Sequence, residues 1–173
     1  EKLRQIIEEL AVLMEKQFRE QFKVISENFS QVFQEMFGGG KAYLKLTDTE
    51  NVLESPIEIV AQPPGKNLQN MQLLSGGERA LTAIAILFSI LKMKPSPFCI
   101  LDEIEAALDD ANVTRYARYL KQFAEDTQFI VITHRKGTME HADVLYGVTM
   151  QEKGISKLIS VDFSEAEKAV ETA

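Results

Sequence analysis

The sequence has no tryptophan, one cysteine, five prolines and nine glycines in 173 residues. A single cysteine excludes an internal disulfide, and Cys99 sits within the apolar run 98–101, which predicts a core thiol of a reducing compartment. So little Gly and Pro excludes a collagenous or low-complexity chain, and a hydrophobic content of 45% excludes a disordered one. No run of about 18 consecutive apolar residues exists. The longest candidate, 81–91, is interrupted by Thr82 and Ser89 and ends at Lys92, so a transmembrane helix is excluded. A basic-then-apolar leader is missing too, and the first residue, Glu1, is not Met, which predicts a piece of a longer polypeptide. Nor is there an excess of positive charge: 19 Lys and Arg against 26 Asp and Glu leave a net charge of −7. Any DNA contact would therefore be a local patch. What remains is a single cytoplasmic domain with enough apolar side chains for a core.

In residues 3–37 the apolar positions Leu3, Ile7, Leu10, Met14, Phe18, Phe22, Ile25, Phe29, Val32 and Met36 recur at steps of three and four. That spacing predicts one long amphipathic helix over 1–37. Its first half reads as a coiled-coil arm or an ordinary core helix, and frequent Phe from Phe18 on reads as globular packing. Gly38, Gly39 and Gly40 end it. Segments 41–47 and 56–62 alternate as two strands of a hairpin, and Pro63, Pro64 and Gly65 break the pattern again. Beyond them the chain alternates: helix over 75–92, strand 98–102, helix 112–124, strand 128–133. Alternation of this kind predicts an α/β fold, a mainly parallel sheet flanked by helices with ligands at the carboxyl ends of its strands. Segments 144–150 and 155–163 read as a closing antiparallel hairpin, and the polar tail 164–173 as a frayed end.

Three clusters carry candidate chemistry. Leu74, Ser75, Gly76, Gly77 and Glu78 open a helix, and Ser-x-x-Glu is a capping box. Two glycines in a first turn cost about 1 kcal/mol each relative to Ala, and a cap does not need them. A helix tip bare of side chains suits a phosphate oxyanion, so cap and anion site are both open readings. Asp102 and Glu103 follow four apolar residues at the end of a strand, where ionised acids need a cation or donors. Mg²⁺ fits, with Asp102 as its ligand, directly or through water, and Glu103 beside an attacking water. A solvated loop is the other reading, as is a simple helix start for Leu108, Asp109 and Asp110. His134 follows the second strand, on the same edge as Asp102 and Glu103. His141 reads as an ordinary loop residue, and one Cys with two His matches no zinc pattern. The phosphate-cradling Gly-x-x-x-x-Gly-Lys-Ser/Thr loop occurs nowhere: Gly40-Lys41 and Gly65-Lys66 lack its other residues. Half of a site is present.

The run from Leu74 to Ala83, then Asp102-Glu103, then Leu108-Asp109, then His134, resembles in order the signature, Walker B, D-loop and switch-histidine motifs of ABC-type ATPases. Ile104-Glu105 stands where transporters have Pro-Thr. The longer runs 74–83 and 101–113 resemble the C-terminal head half of bacterial structural maintenance of chromosomes (SMC) proteins. The resemblance covers essentially the whole chain, with 1–37 as the end of the coiled-coil arm and 38–173 as the C-terminal half of the head. It implies an ATPase acting in chromosome condensation and segregation, with ATP and Mg²⁺ as cofactors, nucleoid-associated in the cytoplasm and bound to no membrane. It also implies a division of labour. Asp102 holds Mg²⁺, Glu103 and His134 serve catalysis, and Leu74 to Glu78 meet the nucleotide of a second head, with Leu108 and Asp109 coupling the two sites. The implied partners are the N-terminal head half with its Walker A loop, a second head in an ATP-dependent dimer, a kleisin subunit and DNA; the closing hairpin and tail from 144 on are the expected kleisin dock, since an exposed strand edge is a ready template for pairing. Without Walker A the isolated chain is expected to be inactive. A DNA-repair coiled-coil ATPase shares the four motifs, and a non-catalytic module would need only the cap; the runs around Glu78 and Glu105 favour the chromosome branch.

Overall fold

A computed structural model describes residues 2–125 and 127–162. Helix α1 runs Lys2–Phe37, a length of about 54 Å at 1.5 Å per residue. Its stripe is buried only from Phe29 on, where Phe29, Val32, Phe33, Met36 and Phe37 enter the core. The same stripe at Leu3, Ile7, Leu10 and Met14 stays exposed. Gly38 (φ 70°) and Gly39 take left-handed backbone after the helix, and Gly39 N–H donates to Gln34 C=O at 2.8 Å. Gly40 (φ 87°) admits no side chain, since a Cβ there would run into the Gln62 carbonyl oxygen.

Strands β1 (Lys41–Leu46) and β2 (Ile57–Gln62) form the expected antiparallel hairpin, pairing Lys41 with Gln62 and Leu46 with Ile57. A two-residue strand, β3 (Gln69–Asn70), extends this sheet and leads into a single 3-10 turn, Met71–Leu73. Helix α2 (Gly76–Met93) buries Leu81, Ile84, Ala85 and Phe88 on one face and stops before Pro95, which disfavours helix in the residue ahead of it. Strand β4 (Phe98–Asp102) pairs in parallel with β5 (Gln128–Ile132), and α3 (Asp110–Phe123) crosses between them. A four-residue helix α4 (Lys136–Met139) precedes the hairpin β6 (Val144–Glu152) and β7 (Ile155–Asp162), which turns at Gly154 (φ 85°). Phe163 and the tail 164–173 lie outside the described residues.

The mixed α/β class with a long first helix and a closing hairpin is what the sequence predicts. Its parallel part is β4 with β5, and the remaining ladders are antiparallel. The core lies between α1, α2 and α3 and the inner face of β4–β5. Phe88 is its hub, with ring centroids 5.3 Å from Tyr119, 5.4 Å from Phe123 and 6.0 Å from Phe129. Cys99 is a free thiol packed against this core.

Two apolar surfaces are left open. Side chains alternate across a strand, so Cys99, Leu101, Phe129 and Val131 face the core while Phe98, Ile100, Ile130 and Ile132 face out. These four are 55%, 58%, 48% and 52% exposed. A parallel sheet is normally covered on both faces; here one cover is missing. The second surface is a groove of about 310 Å³ lined by Phe18, Phe22, Ile25, Leu44, Ile59 and Ile86. Among the described residues no helix is long and apolar enough to cross a membrane.

Candidate functional site

The carboxyl ends of β4 and β5 bring the predicted acids and the histidine together. Asp102 pairs with Ile132 in the ladder, and alternation puts its exposed carboxylate on the same open face as Ile100 and Ile130. Glu103 extends the ladder by one bond, its N–H donating to Ile132 C=O at 3.0 Å. The chain then turns with Glu103 at φ 48°, and no other non-glycine among the described residues has a positive φ. A left-handed non-glycine costs about 1–3 kcal/mol and persists only where surrounding structure imposes it. The turn is closed by Ala106 N–H to Glu103 C=O and by Leu108 N–H to Glu105 C=O. It aims the Glu103 carboxylate at His134, with Nδ1 3.2 Å from Oε1. A carboxylate only accepts, so this contact calls for the proton on Nδ1. Both side chains remain more than half exposed.

At the start of α2 the capping box is complete. Glu78 N–H donates to Ser75 Oγ at 3.4 Å, and Ser75 N–H donates back to Glu78 Oε2 at 3.1 Å. The Ser75 hydroxyl also donates to Glu78, and Lys66 Nζ lies 2.8 Å from Glu78 Oε1. Burial pushes the Glu78 carboxyl up, but the bonds from Lys66 and Ser75 outweigh it and hold it below the usual value. Cap and anion tip are compatible readings here, because the box uses the Glu78 amide rather than those of Gly76 and Gly77. Space around Gly76 is open, whereas a Cβ on Gly77 would lie 3.6 Å from the Ala107 carbonyl. The tip of α2 thus abuts the loop 103–109. Leu74 is buried, so only its backbone is available to a ligand; Arg79 donates to its carbonyl and to that of Gln72.

Asp109 caps α3, accepting from Asn112 N–H at 2.8 Å, and Leu108 is buried. Arg135 ties this loop to the one after β5, donating to Leu108 C=O at 2.8 Å and to Asp110 Oδ1 at 3.0 Å. His141 contacts the Gly137 carbonyl within its own turn. One acid escapes the motif reading. Glu105 is 0% exposed and accepts from the hydroxyls of Thr133 and Thr138. The sequence signal for it is a carboxylate set among Ile104, Ala106, Ala107 and Leu108, a position that an exposed loop acid would not need.

Among the described residues no three His, Cys, Asp or Glu side chains converge on a metal-sized site. A divalent cation held by Asp102 would take most of its shell from water and phosphate, the manner in which Mg²⁺ is bound, and the donor set fits that ion. The acids and the histidine therefore gather at the edge of the open sheet face, and the tip of α2 meets the loop that follows them at Ala107.

Comparison with known proteins places these motifs in context. The family model described as "RecF/RecN/SMC N terminal domain" matches residues 4–157. The chromosome partition protein Smc of Bacillus subtilis is 65% identical over 96% of this chain, and that of Desulfitobacterium hafniense 58% over 100%. In both cases the chain spans 14% of the relative's length. A Pyrococcus furiosus Smc head domain with an extended coiled coil, bound to the C-terminal domain of ScpA, superposes with TM-score 0.85 at 42% identity, over 99% of this chain and 43% of that one. A structure from work on ATP-driven dimerization and DNA-stimulated activation of SMC ATPases gives TM-score 0.79 at 44% identity, covering 91% of this chain and 96% of that one.

Proposed function

The chain belongs to the RecF/RecN/SMC family, and from that premise we propose that it is the C-terminal half of an SMC head. In this reading it completes a composite ATPase site and works in chromosome condensation and segregation at the nucleoid. Residues 1–37 would be the end of the coiled-coil arm and 38–173 the C-terminal part of the head. The observation that carries the reading is the Glu103–His134 contact, 3.2 Å, beside Asp102 on an uncovered apolar sheet face. The missing cover is the N-terminal half with its Walker A loop, a segment the sequence lacks.

Each residue then has a task set by its geometry. Asp102, on the open face, would hold Mg²⁺ directly or through water, and the ion supplies charge neutralisation for the phosphates. Glu103 would orient a water molecule and take its proton. His134, with Nδ1 donating to Glu103, leaves Nε2 for the γ-phosphate. Gly76 and Gly77 would offer amides, and Ser75 its hydroxyl, to ATP bound on a second head, while Leu74 and Glu78 shape that helix tip from either side. Leu108 and Asp109, beside Gly77, would couple the two sites of the dimer. The ScpA-bound relative supports a kleisin partner, for which the exposed hairpin β6–β7 is the dock. DNA is the polymer this cycle acts on.

Glu103→Gln in the full-length protein tests the assignment. Hydrolysis is expected to fall by at least about 100-fold, with ATP binding retained and the ATP-engaged dimer stabilised. Hydrolysis at the unsubstituted rate would remove Glu103 from the mechanism.

A further inference from the structure

The geometry points to Glu105 as a positioning residue that holds the His134 loop against the Glu103 turn. This deepens the proposed ATPase reading and rests on it.

Glu105 lies two residues past Glu103, on the inner side of the same turn, and is wholly buried. Its Oε1 accepts two hydroxyl bonds, from Thr133 and from Thr138, the latter at 3.0 Å. Thr133 directly precedes His134, and its Oγ1 accepts from Arg135 N–H at 3.0 Å. One carboxylate oxygen therefore gathers the residue after β5 and the helix α4. Outside, the Arg135 guanidinium joins the same two loops through Leu108 C=O and Asp110. His134 sits between the inner tie at Thr133 and the outer one at Arg135, so the backbone that carries its ring beside Glu103 is held on both sides.

Packing alone does not account for this acid. Its Oε2 has no partner among the described residues, and neither does the buried hydroxyl of Tyr116. Burial, with a further contribution from the Glu105 charge, pushes the Tyr116 phenol up. Leaving a buried polar atom unpaired costs about 1–3 kcal/mol, and an apolar side chain of similar volume would fill the space at less cost. What an apolar side chain could not do is accept two hydroxyls at one point and so fix one loop on the other. A misplacement of about 1 Å in such a pair is enough to slow chemistry by about 100-fold.

Thr138 provides a clean test because its hydroxyl bonds to Glu105 and to neither Glu103 nor His134. Thr138→Val keeps the shape and loses the hydroxyl; Thr138→Ser keeps the hydroxyl and loses a methyl. In full-length protein, Thr138→Val is expected to lower kcat about tenfold with KM for ATP moving less than about twofold, and Thr138→Ser to stay within about twofold in both. Amide exchange over 133–139, measured without nucleotide, should quicken in the Val variant and not in the Ser variant. A Ser variant as impaired as the Val variant would make the site a packing site and overturn the proposal, as would a Val variant with unsubstituted kcat. If Thr138→Val fails to fold, Thr133→Val carries the same expectations. Glu103→Gln, run in parallel, separates the two levels. Inactive Glu103→Gln with unimpaired Thr138→Val sinks only the Glu105 proposal, whereas active Glu103→Gln sinks the ATPase reading along with it.

Discussion

The two faces of the β4–β5 pair are built from the same kinds of residue and meet opposite fates. Inside, Leu101 is buried and Cys99, Phe129 and Val131 pack on the helices. Outside, Phe98, Ile100, Ile130 and Ile132 stay about half exposed, although nothing in their chemistry favours water. A contiguous apolar face of this kind marks an interaction surface, because isolated domains rarely leave one open. Asp102 lies on that outer face, with Glu103 and His134 at its edge. The candidate chemistry sits where the fold is unfinished, and the finished side holds only core.

Substitutions on the two faces would sharpen this contrast. Leu101→Ala, on the inner face, is expected to destabilise the isolated chain by about 3 kcal/mol, since a buried Leu leaves a cavity. Ile130→Asp, on the outer face, should change its stability by less than about 0.5 kcal/mol, because the site is already wet. The same Ile130→Asp should reduce assembly with a Walker A-bearing half by at least about 100-fold, since it places an unpaired charge in the buried joint. Thermal melts and a binding titration of both variants check these expectations. Equal effects of the two variants on stability would break the contrast.

A smaller effect, about tenfold, is expected at the helix tip. Ser75→Arg should weaken ATP-dependent dimerisation by that factor and leave nucleotide binding by the single head unchanged, as gel filtration and nucleotide titration would show. The smallest concerns the cap itself. Glu78 titrates below its ordinary value in the folded chain, so its contribution is full above the unfolded pKa and is lost as pH falls through the folded one. Lys66→Ala removes the main favourable partner, and about 0.5 kcal/mol of acid-sensitive stability should go with it. Melts between pH 3 and 6 would register the flatter slope.

Most elements were legible because their signals are local. The three- and four-residue stripe from Leu3 to Met36 is α1, and the alternation of 98–102 and 128–132 with intervening helix is the parallel pair. The rule that ligands gather at carboxyl ends predicts His134 on the same edge as Asp102 and Glu103, and its contact with Glu103 is a finer detail of the fold. The short elements β3 and α4 were not legible, since two and four residues carry no period. Ser75 and Asp109 fit two readings each in the sequence, and both act as helix caps; a cap and a ligand site use the same residue types for the same reason, free amides. Glu105 and Arg135 were illegible as a pair of ties because their partners lie 25 to 33 residues away in the chain. The left-handed turn at Glu103 has no residue signature at all, for glycine is the expected occupant of such backbone.

The most direct test of the unfinished-face account is Mg²⁺-ATP turnover by this chain alone and on titration with a separate polypeptide carrying the Walker A loop. The account predicts no turnover above background for the chain alone and saturable activity as the second polypeptide is added, lost again with Ile130→Asp. Robust hydrolysis by the chain alone would contradict it.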